Sequence, residues 1–474
     1  MDRPVNAPLI WIVLPLGLSG GLFLLMRWRK LTGVVGSAFA LLLAASAWLL
    51  PVGETIQLGI VSFEIQPDWI VFGRRYLLEN SDRPLVIVLN LAIAFWFLGS
   101  LSLTGRSLLA PFGMAISSTL IAAVFVQPLY KGTFLIYFAA ILSILLFVSE
   151  WGKVNLGIKQ YWIFQSLAMP LLLLAGWLLS GTEANPGEIS SASLIYILLL
   201  LGMALLLSGF PFQSWLPAIA QIVNPYSFSL VILLNSFSSS LYTIVFLRQY
   251  TWLSSSSWIL LFFGIEGFLM TILGGIGAIY HRHLGRWMGY ALIKEIGMSF
   301  LAIGMGLALP EQSSVLAILF MQVLPRGIAL ALWALACTLY HEHGGSINIQ
   351  DLVGLGRRYP IATGAYFLSV LTLVGFPLTA AFPIHLLIWQ GWFQNFPPFA
   401  FAAIFGSVGV LIGGLRAMAV LVRSDPNQPL VPHETRLQII LLTIGSVFLL
   451  LGGIFPSWFL PTLYNMGLTF FKGN

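Results

Sequence analysis

Charge is what this chain lacks most. Asp, Glu, Lys and Arg make up 8% of its 474 residues, against about 25% in a soluble domain. A water-bathed globule is therefore excluded as the form of most of the chain. Cysteine is rarer still. Cys337 stands alone inside an apolar run, so no disulfide closes within the chain and no cysteine-based metal cluster can be built. No glycine-rich loop with a lysine follows a strand. No nucleophile–base set is visible either, so an enzyme with its own active site has no support. Acidic side chains number 16 against 22 Lys and Arg. The basic excess is spread over short loops, where membrane topology explains it better than nucleic-acid binding. His281-Arg-His283 and His341-Glu-His343 look like metal pairs. Two histidines at i, i+2 on charged loops lack the further ligands that a site needs. We expect no metal, no bound cofactor and no nucleic-acid partner.

What is present is apolar, 58% of the residues. Windows of the ~20 apolar residues that cross a bilayer recur near 8–26, 31–51, 84–103, 108–127, 132–149, 159–180, 192–210, 225–247, 257–280, 287–309, 313–340, 361–393, 398–422 and 437–460. The chain reads as an all-α polytopic membrane protein with about fourteen transmembrane helices. Only Arg3 precedes the first window, and Arg27-Trp-Arg-Lys30 follows it. That is the reverse of a signal peptide's charge order, so the window is expected to be the first span. The segment 52–83 alternates loosely from Glu54 and again at Trp69-Ile-Val-Phe, as a small surface hairpin would.

Basic residues divide between the two faces. One holds Arg27, Arg29, Lys30, Arg106, Lys153, Lys159, Arg282, Arg286, Arg357, Arg358, Arg423 and Arg436. The other holds Arg3, Arg74, Arg75, Arg83, Lys131, Arg248 and Lys472. The richer face is expected inside, which puts both termini outside or in a lumen.

One stretch occurs twice. Gly209-Phe-Pro-Phe-Gln-Ser-Trp-Leu-Pro217 has a twin in Gly375-Phe-Pro-Leu-Thr-Ala-Ala-Phe-Pro383. Pro211 and Pro217 are spaced like Pro377 and Pro383. Proline removes an N–H and clashes one turn back, so a helix stops or kinks there. In lipid the freed carbonyls need partners, which places such breaks in a bundle interior or on a wet cavity. Matched breaks in corresponding halves point to inverted repeats around a transport path. The chain divides on this reading into a three-helix flank (1–107), a first five-helix unit (108–250), a second (251–424) and a C-terminal helix (425–474).

A charge at mid-membrane costs at least ~2.5–3.5 kcal/mol, so each one needs a reason. The candidates for an ion or proton path are Glu266, Lys294, Glu295, Arg326, His385 and Arg416. His385 suits proton exchange, because histidine titrates near neutrality. Arg326 stays charged and can only hold an anion or a carboxylate. In a purely structural role, Arg326 and Arg416 are expected in buried ion pairs or reaching for an interface. Lys294 is then the expected partner of Glu266. Lys294 and Glu295 are sequence neighbours and should leave a helix on different sides, unable to pair.

These motifs resemble those of the antiporter-like membrane subunits of complex I (the L, M and N type chains) and of Mrp-type Na⁺/H⁺ antiporters. Phe210-Pro-Phe-Gln-Ser-Trp-Leu-Pro217 is similar to that family's Pro-Phe-His-x-Trp-Leu-Pro signature. The stretch His281 to Gly297, the loop Asp351 to Pro360 and the break ending in His385 look like three further family segments, in the same order. The resemblance implies the fold, the repeats and a place beside paralogous subunits in a redox-driven or ion-driven assembly. It also implies a proton path through a Glu in span five, a Lys in each of spans seven and eight, and a Lys or Glu in span twelve. This chain departs there. Ala139 and Ala140, Leu206, and Asn235 or Ser236 occupy the first three positions, and His385 the fourth. Gln213 replaces the signature His, and Gln322 and Arg326 stand where His and Lys are common.

The expectation is a divergent antiporter-like subunit that carries or scaffolds proton or cation translocation. It would sit in a bacterial plasma membrane or a thylakoid. The alternatives are a structural subunit with a lost proton path and a stand-alone secondary transporter.

Overall fold

The computed structural model describes residues 5–58, 61–71, 73–103, 108–151, 154–182, 190–308, 312–423 and 433–473. Arg3, Arg106 and Lys153 of the charge count lie outside the described residues. So do parts of the 52–83 segment and both flanks of the 424/425 boundary.

The chain is a helical bundle with two small sheets at one end. A π-helical turn, Leu9–Val13, opens α1 (Leu14–Leu24). It is followed by α2 (Arg29–Leu49), α3 (Arg83–Ser100), α4 (Leu109–Phe125), α5 (Gly132–Trp151), α6 (Leu156–Thr182), α7 (Ser190–Leu206), α8 (Trp215–Ala220) and α9 (Pro225–Arg248). After the short α10 (Thr251–Ser254) come α11 (Ser257–Tyr280), α12 (Leu284–Ala308), α13 (Gln312–Leu316) and α14 (Ile318–Gly344). The remainder is α15 (Leu355–Arg358), α16 (Pro360–Val374), α17 (Phe382–Asn395), α18 (Pro397–Val422), α19 (Arg436–Ile454) and α20 (Leu460–Gly473). Ten helical stretches among the described residues are long and apolar enough to cross a membrane. Four shorter apolar ones accompany them: Leu9–Leu24, Leu109–Phe125, Ser193–Leu206 and Pro360–Val374.

Local chemistry sets many of the ends. Proline opens α3, α9, α16 and α18, where its missing N–H costs nothing. The Asn224 side chain caps α9 by accepting from the Tyr226 N–H. Thr435 and Gln438 form a reciprocal capping box at α19. The C-terminal apolar region is two helices, because the chain turns at Phe455–Phe459 before α20 packs beside α13 and α14.

The segment 52–83 holds two hairpins where one was expected. Strand β2 (Thr55–Leu58) pairs antiparallel with β3 (Val61–Gln66), and β1 (Val5–Asn6) adds to β3 in parallel. Strands β4 (Asp68–Val71) and β5 (Arg74–Leu77) form the second hairpin, extended by β6 (Val126–Gln127).

Both proline-rich breaks interrupt helices. α7 stops at Leu206, and Ser208 takes a left-handed φ of 58° before the chain resumes helix at Trp215. α16 stops at Val374, with Gly375 at φ 73° and Leu378 at φ 69°, before α17 begins at Phe382. Between them runs α12, 94% of whose apolar window is buried, against 28% for the peripheral α19. It packs on α8 at one break and on α17 at the other. The approach to the first break requires glycine: a Cβ on Gly289 would lie 2.4 Å from the Pro217 Cα.

Candidate functional site

Each break frees a carbonyl, and a polar side chain takes it. Leu206 O, at the end of α7, accepts from Gln165 Nε2 of α6 at 3.2 Å. Leu373 O, at the end of α16, accepts from Lys294 Nζ of α12 at 2.9 Å. The first break also offers a bare N–H, that of Phe210, which donates to Glu266 Oε2 at 2.6 Å. Glu266 therefore holds the first break, and the pairing with Lys294 expected from the sequence does not occur. A carboxylate that caps a backbone N–H is satisfied without a cation.

At the second break four titratable side chains converge. Glu295 Oε1 accepts from Lys294 Nζ at 2.9 Å, and Oε2 accepts from Arg326 Nε at 2.7 Å. His385 Nε2 lies 3.5 Å from Glu295 Oε1. Lys294 and Glu295, expected on different sides of the helix, are therefore paired. Adjacent residues leave a helix at different angles, but these two long side chains bend toward each other. They do so because Lys294 must also reach Leu373 O and Glu295 must reach Arg326 on α14. Lys294, Glu295 and His385 are 0%, 3% and 2% exposed. With His385 neutral, two cations face one carboxylate, and the cluster carries a net positive charge.

The rest of the cluster fixes Arg326. Its guanidinium donates to Ser299 Oγ, to the Glu295 carbonyl and to Gln322 Oε1, each at 3.0 Å. Four contacts around a planar fork hold its charge in one place. His385 is positioned by the break itself. It lies in the first turn of α17, and its ring occupies the space a side chain on residue 375 would need: a Cβ there would come within 2.1 Å of Nδ1.

Among the described residues of 108–250, no Lys, Arg, Asp or Glu is buried. Ala139 and Ala140 are buried among apolar side chains, and Leu206 ends α7. In their place is a small cavity of about 30 Å³, bordered by Tyr161, Gln165, Asn235, Ser236, Ser240 and Ser299. That is room for about two waters, or at most three, since one needs about 10–15 Å³. Asn235 Nδ2 donates to Tyr161 Oη at 2.9 Å, while the buried Asn235 Oδ1 has no partner among the described residues. A second void of about 10 Å³ continues from Ser236, Ser240 and Ser299 to Gln322 and Arg326. Neutral polar groups thus lead from the first break to the charged cluster. Ser299, Tyr161, Gln165 and Ser240 are absent from the sequence-derived candidates. The signal available was the hydroxyl run Ser236 to Ser240 on α9, a helix 89% buried in its apolar window.

Arg416 stands apart. It donates to the Ile279 carbonyl at 2.5 Å and to that of His281, so it caps the C-terminal end of α11. Pro211, Pro217, Pro377 and Pro383 shape the breaks without touching the charged cluster through any hydrogen bond.

The sequence comparisons point to one family, and the structural ones to one fold. The pattern described as NADH:quinone oxidoreductase/Mrp antiporter, transmembrane, matches residues 109–413. A chloroplast NAD(P)H-quinone oxidoreductase subunit 2 from Chlorokybus atmophyticus is 28% identical over 236 residues. That stretch is 49% of this chain and 44% of the relative, so the match spans less than half the relative's length. An F(420)H(2) dehydrogenase subunit M from Methanosarcina mazei is 22% identical over 459 residues, 91% of both chains. Among solved structures, a chain of respiratory complex I from Thermus thermophilus superposes with a TM-score of 0.77 at 17% identity. It covers 98% of this chain and 99% of that one. A chain of the Mrp complex from Dietzia superposes at 0.73 and 15% identity, covering 98% and 96%. At these identities the superpositions establish the fold.

Proposed function

This chain belongs to the NADH:quinone oxidoreductase/Mrp antiporter transmembrane family, and we propose that it is a divergent antiporter-like subunit moving protons or Na⁺ within a multisubunit membrane complex. The fold is read as fourteen spans, with α4 to α9 and α11 to α18 forming two inverted units around the breaks. Its partners are paralogous subunits and the lipid bilayer. Both termini lie on the outer or lumenal face of a plasma or thylakoid membrane.

The observation that carries this reading is the buried Lys294–Glu295–Arg326–His385 cluster at the second break. Such a group at membrane depth is costly without a function. Arg326 cannot release its proton and serves as a fixed counter-charge. His385 can exchange a proton, and its Nε2 faces the same Glu295 oxygen that Lys294 holds. A proton on His385 would compete with Lys294 for Glu295 and loosen Lys294 toward Leu373 O. The first unit supplies a water-bearing, uncharged approach through Asn235, Ser236 and their neighbours.

The test is proton flux in the reconstituted complex. His385→Ala should lower flux by roughly tenfold or more, equivalent to ~1.4 kcal/mol on the barrier. Asn235→Leu should slow flux less. A silent His385→Ala together with abolished flux in Asn235→Leu would reverse the assignment. A second reading, a structural subunit, draws on the uncharged Ala139, Ala140 and Leu206. On that reading, replacing Glu266, Lys294 and His385 together leaves flux intact and harms only assembly.

A further inference from the structure

On the far side of Leu233 and Val323 from the charged cluster, two adjoining chambers open where α3, α14 and α20 meet. One holds about 180 Å³, and every side chain that borders it is apolar or aromatic, including Leu91, Phe95, Leu324 and Met466. Gly327 on α14 keeps it open, since Leu233 and Trp96 are the nearest side chains to where a Cβ would stand. The other chamber holds about 380 Å³ and is mixed, with Asn80, Arg83, Thr462, Asn465 and Thr469 set among Trp48, Pro84, Ile87 and Met466. Met466 lines both chambers.

The two form one groove. On α3 the bordering residues Pro84, Ile87, Val88, Leu91 and Phe95 recur at three- and four-residue spacing, a single helix face. On α20, Thr462, Asn465 and Thr469 line the polar mouth, while Leu463 points to the apolar end. Arg83 opens α3 and Trp96 lies near its far end. Thirteen steps of 1.5 Å make about 20 Å. One leaflet contributes half of a ~30 Å hydrocarbon core plus its headgroup zone, which is a similar length.

The chemistry narrows the occupant. An apolar chamber stays dry but accepts hydrocarbon. Arg83 Nε donates to the Ala47 carbonyl, NH1 to Asn80 Oδ1 and NH2 to the Trp48 carbonyl. A guanidinium has five N–H donors, so two remain for another acceptor. Glu54 attracts this cation, yet among the described residues no carboxylate reaches ion-pair distance of it. An arginine with spare donors at the mouth of a hydrocarbon slot matches a phosphodiester with an acyl tail.

We propose that this groove is a phospholipid site, with the phosphate on Arg83 and one acyl chain in the chamber between Val88 and Trp96. The proposal does not rest on the ion-path reading: the apolar chamber shares the walls Leu233 and Val323 with the void beside Arg326, but Arg83 and the α3 and α20 faces take no part in that path. The probe is phosphatidylglycerol with a diazirine on its acyl chain, added to the protein purified with whatever subunits accompany it. Labelled peptides should map to 88–96 and 323–328. Ala92→Trp, which fills the chamber, and Arg83→Gln, which removes the cation, should each cut labelling about tenfold, the effect of ~1.4 kcal/mol in affinity. Should Ala92→Trp fail to assemble, Arg83→Gln and competition by unlabelled phosphatidylglycerol decide the matter. Labelling unchanged by Arg83→Gln, equal labelling by a diazirine alkane without phosphate, or cross-links from a neighbouring subunit's helix in the groove would each overturn it.

Discussion

Replacing Glu295 with Gln keeps the side chain's volume and removes its charge. The structure then leaves Lys294 and Arg326 buried around a neutral amide. Lys294 has no exposed surface, and among the described residues its only other side-chain hydrogen bond goes to the Leu373 carbonyl. Coulomb's law puts a unit pair at the observed 2.9 Å near 6 kcal/mol at an effective dielectric of about 20. Desolvation offsets part of that. Removing one partner of a buried pair costs about 3–5 kcal/mol in practice. Because one carboxylate serves two cations, we expect Glu295→Gln at the upper end of that range. The assay is reversible unfolding of the purified protein in mixed micelles, followed by tryptophan fluorescence. The double variant Glu295→Gln/Lys294→Met should recover about 2 kcal/mol, since one stranded cation is gone and the two sites are coupled. A Glu295→Gln protein within about 1 kcal/mol of the parent, or a double variant no better than the single, would show that the cluster is not an ion-paired hub.

Two further expectations follow from the same geometry. Glu266→Gln keeps an acceptor for the Phe210 N–H and should be mild, whereas Glu266→Leu strands that donor at a cost of about 1–3 kcal/mol; equal unfolding midpoints for the two would refute the bond's role. His283, in the loop between α11 and α12, accepts from the Gly285 N–H at 3.1 Å. Burial first, then the Arg286 and His341 charges, holds its pKa down to about 4. The unfolded chain then binds more protons between about pH 4 and 6.5, so stability falls as pH drops through that window and is flat above it. Hydrogen exchange at 281–285, corrected for intrinsic rates, should accelerate from pH 7 to pH 5 in the parent and not in His283→Gln; a parent insensitive to pH would contradict the assignment.

Much of the architecture was legible in the chain because membrane chemistry is coarse. Apolar runs, Gly209-Phe-Pro and Gly375-Phe-Pro each follow local rules about lipid and proline. Charged residues inside apolar runs are conspicuous, so Lys294, Glu295, Arg326 and His385 could be picked out singly. How they meet was not legible. The helical-angle rule kept Lys294 from Glu295, and reach across α12, α14 and α16 brought them together. Glu266 was sought near Lys294 and is found on the Phe210 N–H. Neutral partners such as Ser299 and Tyr161 carry no signal, because hydroxyls in a helix usually bond their own backbone. The helix α20 escaped because its apolar residues merge with those of α19.

The sequence by itself determined that this chain is a bundle of apolar helices, and it marked where two of them must stop. Those properties depend on each residue and its near neighbours. Only the tertiary structure decided that Glu295 holds two cations and that the buried α12 passes both breaks. It also decided that Arg416 caps a helix end away from the cluster. These depend on which helix faces meet, and long flexible side chains settle that by finding charges and carbonyls far away in the chain.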